Sequence, residues 1–326
     1  MMNPLFNYKE RRFRSGLRIT FFSVKMILLV GFIQYIPMAG WQWMFVLPCA
    51  YIWYRLSLFL TDHRITKDNP WYQGGLYWNS TSLTHYIAGW VIGLLALSIM
   101  VGIGYLLGFF SVGSAGYATQ FATENMATND RTYLVSISAS SYYSIFLFLF
   151  QMLAVGFYEE VMLRGYVLIN LKEGIQWKYI SDRTALIIAV MLSSLIFSLA
   201  HLLNPSASII TFITISLAGI LLAFPFVWTG NLALSIGLHS AWNFILGGVF
   251  GFKVSGLSWS ASILYVQSTG PDWWTGGLFG PEAGISGVIA MFLSLLLIFI
   301  FLQKYSTHQS IHSNWLNPAK KDELIK

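Results

Sequence analysis

Charge is what this chain has least of. Its 326 residues carry 19 Lys or Arg and 13 Asp or Glu, 10% in all, against 56% hydrophobic residues. A soluble domain carries about a quarter charged residues, so an ordinary water-soluble globule is excluded and lipid becomes the main solvent. Cysteine is nearly absent too. Cys49 stands alone, which excludes an internal disulfide and any cysteine-based metal site. No segment outside the apolar runs is long enough to bury a core of its own, and no repeat of fixed period occurs. The net charge of +6 gathers in short loops, where membrane topology explains it, so no nucleic-acid partner is expected.

What the chain does have is apolar runs and aromatic residues, 17% of the total, with 13 Trp and 17 Tyr, as two interfacial belts require. About twenty apolar residues span a bilayer. Runs of that kind lie at 19–38, 41–60, 84–110, 142–171, 184–204, 207–229, 231–250 and 285–303. The expected fold is therefore all-α, a polytopic membrane helical bundle of about eight transmembrane helices. Basic residues alternate between the loops: Arg11, Arg12, Arg14, Arg18, Arg64, Lys67, Lys172, Lys178, Arg183, Lys304, Lys320, Lys321 and Lys326 fall on one side, and only Arg131 and Lys253 on the other. The positive-inside rule then puts both termini in the cytoplasm, with the first run an uncleaved anchor. Three units are expected: 1–141 with three spans and an outside loop, 142–250 as a four-span core, and 251–326 with an outside loop, the last span and a basic tail. The expected location is the bacterial cytoplasmic membrane. Residues 170–183 read as an amphipathic stretch at the cytoplasmic surface.

Several features are decoys. Gly102-Ile103-Gly104-Tyr105-Leu106-Leu107-Gly108 has the wrong spacing for a nucleotide loop and reads as helix packing through Gly104 and Gly108. His63, His308 and His312 lie in or near polar segments and read as solvated.

The informative residues are polar groups inside the apolar runs. The fourth run contains Glu159-Glu160-Val161-Met162-Leu163-Arg164, the fifth Phe197-Ser198-Leu199-Ala200-His201, the seventh His239-Ser240-Ala241-Trp242-Asn243. A charged side chain at mid-bilayer costs at least about 2.5–3.5 kcal/mol and marks a functional site that faces a bundle interior or a water-filled cavity. Glu160 and Arg164 are four apart with the acid first, the favourable order for an intrahelical ion pair. Glu159 is then left without an intrahelical cation. His239 and Asn243 share a face, as do Phe197 and His201. Taken singly, each group reads equally as a structural pair or as interhelical hydrogen bonding. Together, they put several costly features into three nearby helices of a core otherwise almost free of charge.

The ordered set Glu159-Glu160-x-x-x-Arg164, Phe197-x-x-x-His201 and His239-x-x-x-Asn243 resembles the CPBP family of intramembrane proteases, which includes CAAX prenyl proteases and bacteriocin-processing or immunity proteins. The resemblance covers roughly 142–250. It implies hydrolysis of a peptide bond in a membrane-associated, prenylated or leader peptide substrate that enters from the bilayer. In its terms Glu159 and His201 activate water, His239 and Asn243 stabilise the oxyanion, and Glu160 and Arg164 fix the helix. It equally admits a divalent metal, zinc, on Glu159, His201 and His239 with an open position for water; we favour the metal-free route. Two other classes remain: a non-catalytic scaffold or immunity protein, and a transporter, which would show internal repeats or helices broken at matching positions, with Pro225 as one candidate break. Oligomeric state is unread. One mismatch stands out at this stage: at 1.5 Å per residue, the run limits put Glu159 roughly 18 Å, His201 roughly 27 Å and His239 roughly 13 Å from the cytoplasmic face.

Overall fold

The computed structural model describes residues 6–7, 12–34, 41–61, 74–113, 139–175, 179–259, 262–305, 311–312 and 315. All eight expected runs are helical. They are α1 (Ser15–Gln34), α2 (Trp43–Thr61), α3 (Ser80–Leu106), α4 (Ala139–Glu160, Val161–Leu168 and Ile169–Ile175), α5 (Asp182–His201), α6 (Ile209–Thr229), α7 (Ala233–Asn243 and Phe244–Val249) and α8 (Ile285–Tyr305). Among the described residues six of them, α1, α3, α4, α5, α6 and α8, are long and apolar enough to cross a membrane, and α7 is a shorter apolar helix. Their outward faces leave apolar side chains such as Leu28, Phe32, Ile187 and Phe292 exposed, as lipid-facing surfaces do. The protein is a multi-pass, all-α membrane bundle.

Local chemistry sets the helix ends. Asn79 Oδ1 accepts from the Ser82 backbone N–H at 2.8 Å and caps α3, Ser181 caps α5, and Ser208 with Thr211 forms a capping box on α6. α6 continues unbroken through Pro225 and ends at Gly230, which is left-handed. The break that a transporter reading would use is therefore not there.

α7 is the axis of the bundle. Each residue from Ala233 to Asn243 is buried, the signature of a helix enclosed by protein on every side. Leu234, Leu238 and Ala241 join one core with α3, α8 and the 250–284 connection, while Leu232 and Ile236 join a second with α1, α2 and α4. Two glycines bring α3 and α7 into backbone contact: a Cβ on Gly237 would run into the Tyr86 carbonyl, and one on Gly89 into the Leu238 nitrogen. Gly237→Ala is accordingly expected to cost about 1–3 kcal/mol by overpacking, read as a lower melting temperature of the purified protein. Gly102→Ala, whose Cβ would meet nothing, should leave it unchanged.

The two ends of the bundle differ. At one, the 250–284 connection folds back over the helices, and β1 (Phe110–Gly113) pairs antiparallel with β2 (Tyr265–Ser268). We call this the cap end. At the other, the tail end, Trp315 is buried edge-on against Phe226, the His312 backbone N–H donates to Val227 O, and the His312 ring lies against Gly230. The reading of His312 as solvated is corrected: it packs. His63 and His308 lie outside the described residues.

Three further readings change. Gly104 makes room for Phe110 and not for another helix, and Gly108 is a left-handed residue where α3 has ended. Of the stretch 170–183 expected at the cytoplasmic surface, 170–175 are instead the last turns of α4, with Asn170 and Lys172 buried and Lys172 paired to Asp182 at 2.7 Å, and 176–178 lie outside the described residues. The depth mismatch dissolves. Counted from Ile175 and Asp182, Glu159 and His201 lie at most about 24 Å and about 28 Å along their helices. α7 starts inside the bundle, since Asn231, Leu232 and Ala233 are buried and tied to the 74–78 segment by Leu232 N–H to Gly75 O and Asn231 Nδ2 to Tyr77 O.

Candidate active site

α4 is a regular α-helix up to Glu160 and a π-helix from Val161 to Leu168. α7 makes the same change directly after Asn243, with a π-helix over Phe244–Val249. The motif segments of α4 and α7 thus each end in a widened turn, a feature that accompanies functional sites. The widened turn brings residues four apart more nearly one above the other. Glu160 and Arg164 use it.

Glu160 is fully buried and its Oε1 accepts from Arg164 Nη1 and from His239 Nδ1, each at 2.8 Å. The expected intrahelical pair is present, and α7 adds a second donor to it. Arg164, also fully buried, donates from Nη2 to Gly219 O on α6 at 2.9 Å, and its guanidinium lies 4.7 Å above the Phe197 ring of α5. Its own helix and two neighbouring ones therefore hold this one cation. Gly219 can offer its carbonyl because its lack of a side chain lets α6 pack directly on Ser194. The other surfaces of Phe197 meet histidines: its ring is edge-on to His201 at 4.6 Å and to His239 at 5.9 Å.

Above this sealed layer lies a cavity of about 580 Å³, lined among others by Glu159, His201, His239 and Asn243. Glu159 Oε1 accepts from the Tyr158 hydroxyl at 3.2 Å, whereas Oε2 has no hydrogen-bond partner among the described residues and lies 3.7 Å from His239 Nε2. The polar neighbour that α4 does not give Glu159 comes from α7. His201 is the last residue of α5, and its Nδ1 lies 2.8 Å from Phe197 O. A carbonyl only accepts, so Nδ1 carries the proton and Nε2 the lone pair. His239 and Asn243 share the cavity-facing side of α7, as expected; His239 is held at Nδ1 by Glu160, and its Nε2 lies 3.7 Å from Glu159. Glu159 and His201 face the same space without a bond between them.

Other residues at the site were not singled out in the sequence. Tyr158 and Trp242 sit inside the motifs, where an aromatic residue in an apolar run carries no signal. Gln151 lines the cavity eight residues before Glu159, on the same helix face, and a polar residue between Phe150 and Met152 was a usable clue. Glu282 lines it from the cap end, and its sequence position looks like that of any loop acid.

The three donors considered for zinc do not fit a shared ion in this arrangement. Among the described residues no group of three His, Cys, Asp or Glu side chains is placed to hold one. No step is derived through a metal.

Residues 141–245, which carry every motif residue named above, match the family model described as type II CAAX prenyl endopeptidase Rce1-like. Comparison with curated proteins and with solved structures found no match.

Proposed function

Since the chain belongs to the CPBP/CAAX protease family through residues 141–245, a family of proteases that work within membranes, we propose that Glu159 is the base of a metal-free endopeptidase reaction in the cavity. The observation that carries this reading is the Glu159 carboxylate, which lines the same cavity as His201 and Asn243 and lies 3.7 Å, at its Oε2, from His239 Nε2.

A water between Glu159 and His201 would give one hydrogen bond to the Glu159 carboxylate and the other to the His201 Nε2 lone pair. Glu159 takes its proton as the oxygen bonds to the scissile carbonyl carbon. Negative charge then develops on the carbonyl oxygen, and we assign Asn243 Nδ2 and His239 as its donors. In its protonated form His239 donates from Nε2 while Nδ1 stays on Glu160. The proton on Glu159 passes to the departing amide nitrogen, the C–N bond breaks, and the carboxylate is restored. Glu160 and Arg164 touch no substrate; they hold His239 and the α4 backbone in place. The apolar lining suits a membrane-embedded or membrane-associated peptide that enters from the bilayer.

The test is quantitative profiling of peptide termini in membranes that contain wild type or Glu159→Ala, with a chelator arm on the wild type. Termini that vanish in the variant and persist under chelation are expected. Identical termini in both, with the variant folded, would sink the proteolytic reading in favour of a non-catalytic membrane protein. Loss under chelation would sink the metal-free route.

A further inference from the structure

Glu282 is the feature of the cavity that the mechanism leaves unused. It sits in the one-turn helix Pro281–Ala283 just before α8 and is 4% exposed. Its Oε1 accepts from Trp242 Nε1 at 3.0 Å, and its Oε2 accepts from the Ser255 backbone N–H and, at 3.1 Å, from the Ser255 hydroxyl. All three donors are neutral. No Lys, Arg or His among the described residues pairs with it. A carboxylate offers about four lone-pair positions, so one on Oε1 is still open.

A buried ionised carboxylate without a counter-charge is costly, and hydrogen bonds recover only part of its lost hydration. The cavity lining holds no Lys or Arg; its ionisable side chains are Tyr158, Glu159, His201, His239 and Glu282, and neither histidine pairs with Glu282. The Arg164 guanidinium lies over the Phe197 ring and is committed to Glu160 and Gly219. Walls of low dielectric focus the field of two carboxylates into this space. A cationic group is drawn in, and a free C-terminal carboxylate is repelled. The loop that holds Glu282 is itself anchored: Asn204 Nδ2, three residues past His201, donates to Ser255 O at 2.9 Å, so the subsite is fixed relative to the α5 end.

We infer that Glu282 is a specificity-determining substrate contact that receives the ammonium or guanidinium of a basic residue in the peptide, near the bond cleaved at Glu159. The inference rests on the proteolytic reading above. It makes the substrate a basic internal segment, not one cut beside a free C-terminus, and it places selection in the 250–284 connection, outside the 141–245 segment that carries the reacting groups.

The experiment profiles termini in membranes that contain the full chain as wild type, Glu159→Ala or Glu282→Gln. Cleavage sites that depend on Glu159 should show Lys or Arg at a fixed offset, and Glu282→Gln should flatten that preference while cleavage continues. A peptide made from one such site is then assayed on the purified wild type with its basic residue kept, or replaced by norleucine or by Glu. Loss of a buried charge partner predicts a fall in kcat/KM on the order of 30-fold for norleucine and more for Glu. The peptide series involves no protein variant, so it decides the matter even if Glu282→Gln fails to fold. Absence of a basic preference, equal rates for the Lys and norleucine peptides, or an undiminished preference in a folded Glu282→Gln would each overturn the inference. If no terminus depends on Glu159, the proteolytic reading itself falls and takes this one with it, a pattern distinct from Glu159-dependent cleavage without basic preference.

Discussion

Glu159→Gln is expected to lower turnover of a cleaved peptide by about 10²–10⁴-fold and to leave the protein folded. The substitution keeps size and one carbonyl oxygen, which can still accept from the Tyr158 hydroxyl as Oε1 does at 3.2 Å. The buried Oε2 makes no hydrogen bond among the described residues and the side chain is 16% exposed, so the exchange breaks no bond that holds the fold. What is lost is the group that accepts the proton of water. The same exchange at Glu160 differs, because Glu160 Oε1 holds both Arg164 and His239 with no exposure. The measurement is kcat and KM beside the melting temperature for each variant. If Glu159→Gln retained more than about a tenth of wild-type turnover, Glu159 would not be the base.

Arg164→Met is expected to destabilise the protein by about 3–5 kcal/mol, because removal of one member of a buried ion pair leaves the other charge uncompensated. Glu160 would keep only His239, Gly219 O would lose its donor at 2.9 Å, and Phe197 would lose the cation on its face. Thermal unfolding of the purified protein reads the loss. The double variant Glu160→Leu with Arg164→Met should recover part of it, since paired charges replaced together by apolar groups leave nothing orphaned. Activity should not return with stability, for His239 would have lost the carboxylate that holds Nδ1. Strictly additive destabilisation in the double variant would refute the coupling.

Much of this was legible in the chain because lipid punishes misplaced polarity. The helix runs follow from the scarcity of charge, and Glu160–Arg164 follows from a four-residue spacing. What could not be read was any contact made across the bundle. Nothing near Glu159 tells that its neighbour is His239 at 3.7 Å while His201 makes no bond to it. α7 was expected to start at the membrane face, yet burial of Asn231 to Ala233 depends on the 74–78 segment and Trp315, distant in sequence. Glu282 carries no signal in the sequence because its partners are Trp242 and Ser255, which no local pattern connects to it. The π-helices were missed for another reason: Val161–Leu168 and Phe244–Val249 have compositions that suit an ordinary helix.

Those two widened turns bear on how the chain tolerates change in its length. A wide turn stores surplus backbone that a tighter helix would not need. Remove one residue from it and the coil can close into the common form, with the helix on either side keeping nearly its former direction and only the residues inside the wide turn changing place. In α4 a deletion at Val161, Met162 or Leu163 would set Arg164 three residues from Glu160, so the pair would have to be remade at a different spacing. A deletion just after Arg164 would leave the pair at its spacing of four and disturb Tyr166 and Leu168 in their core. Two deletions a few positions apart in the same apolar run would thus have different victims, one the charge lattice and the other the packing beneath it.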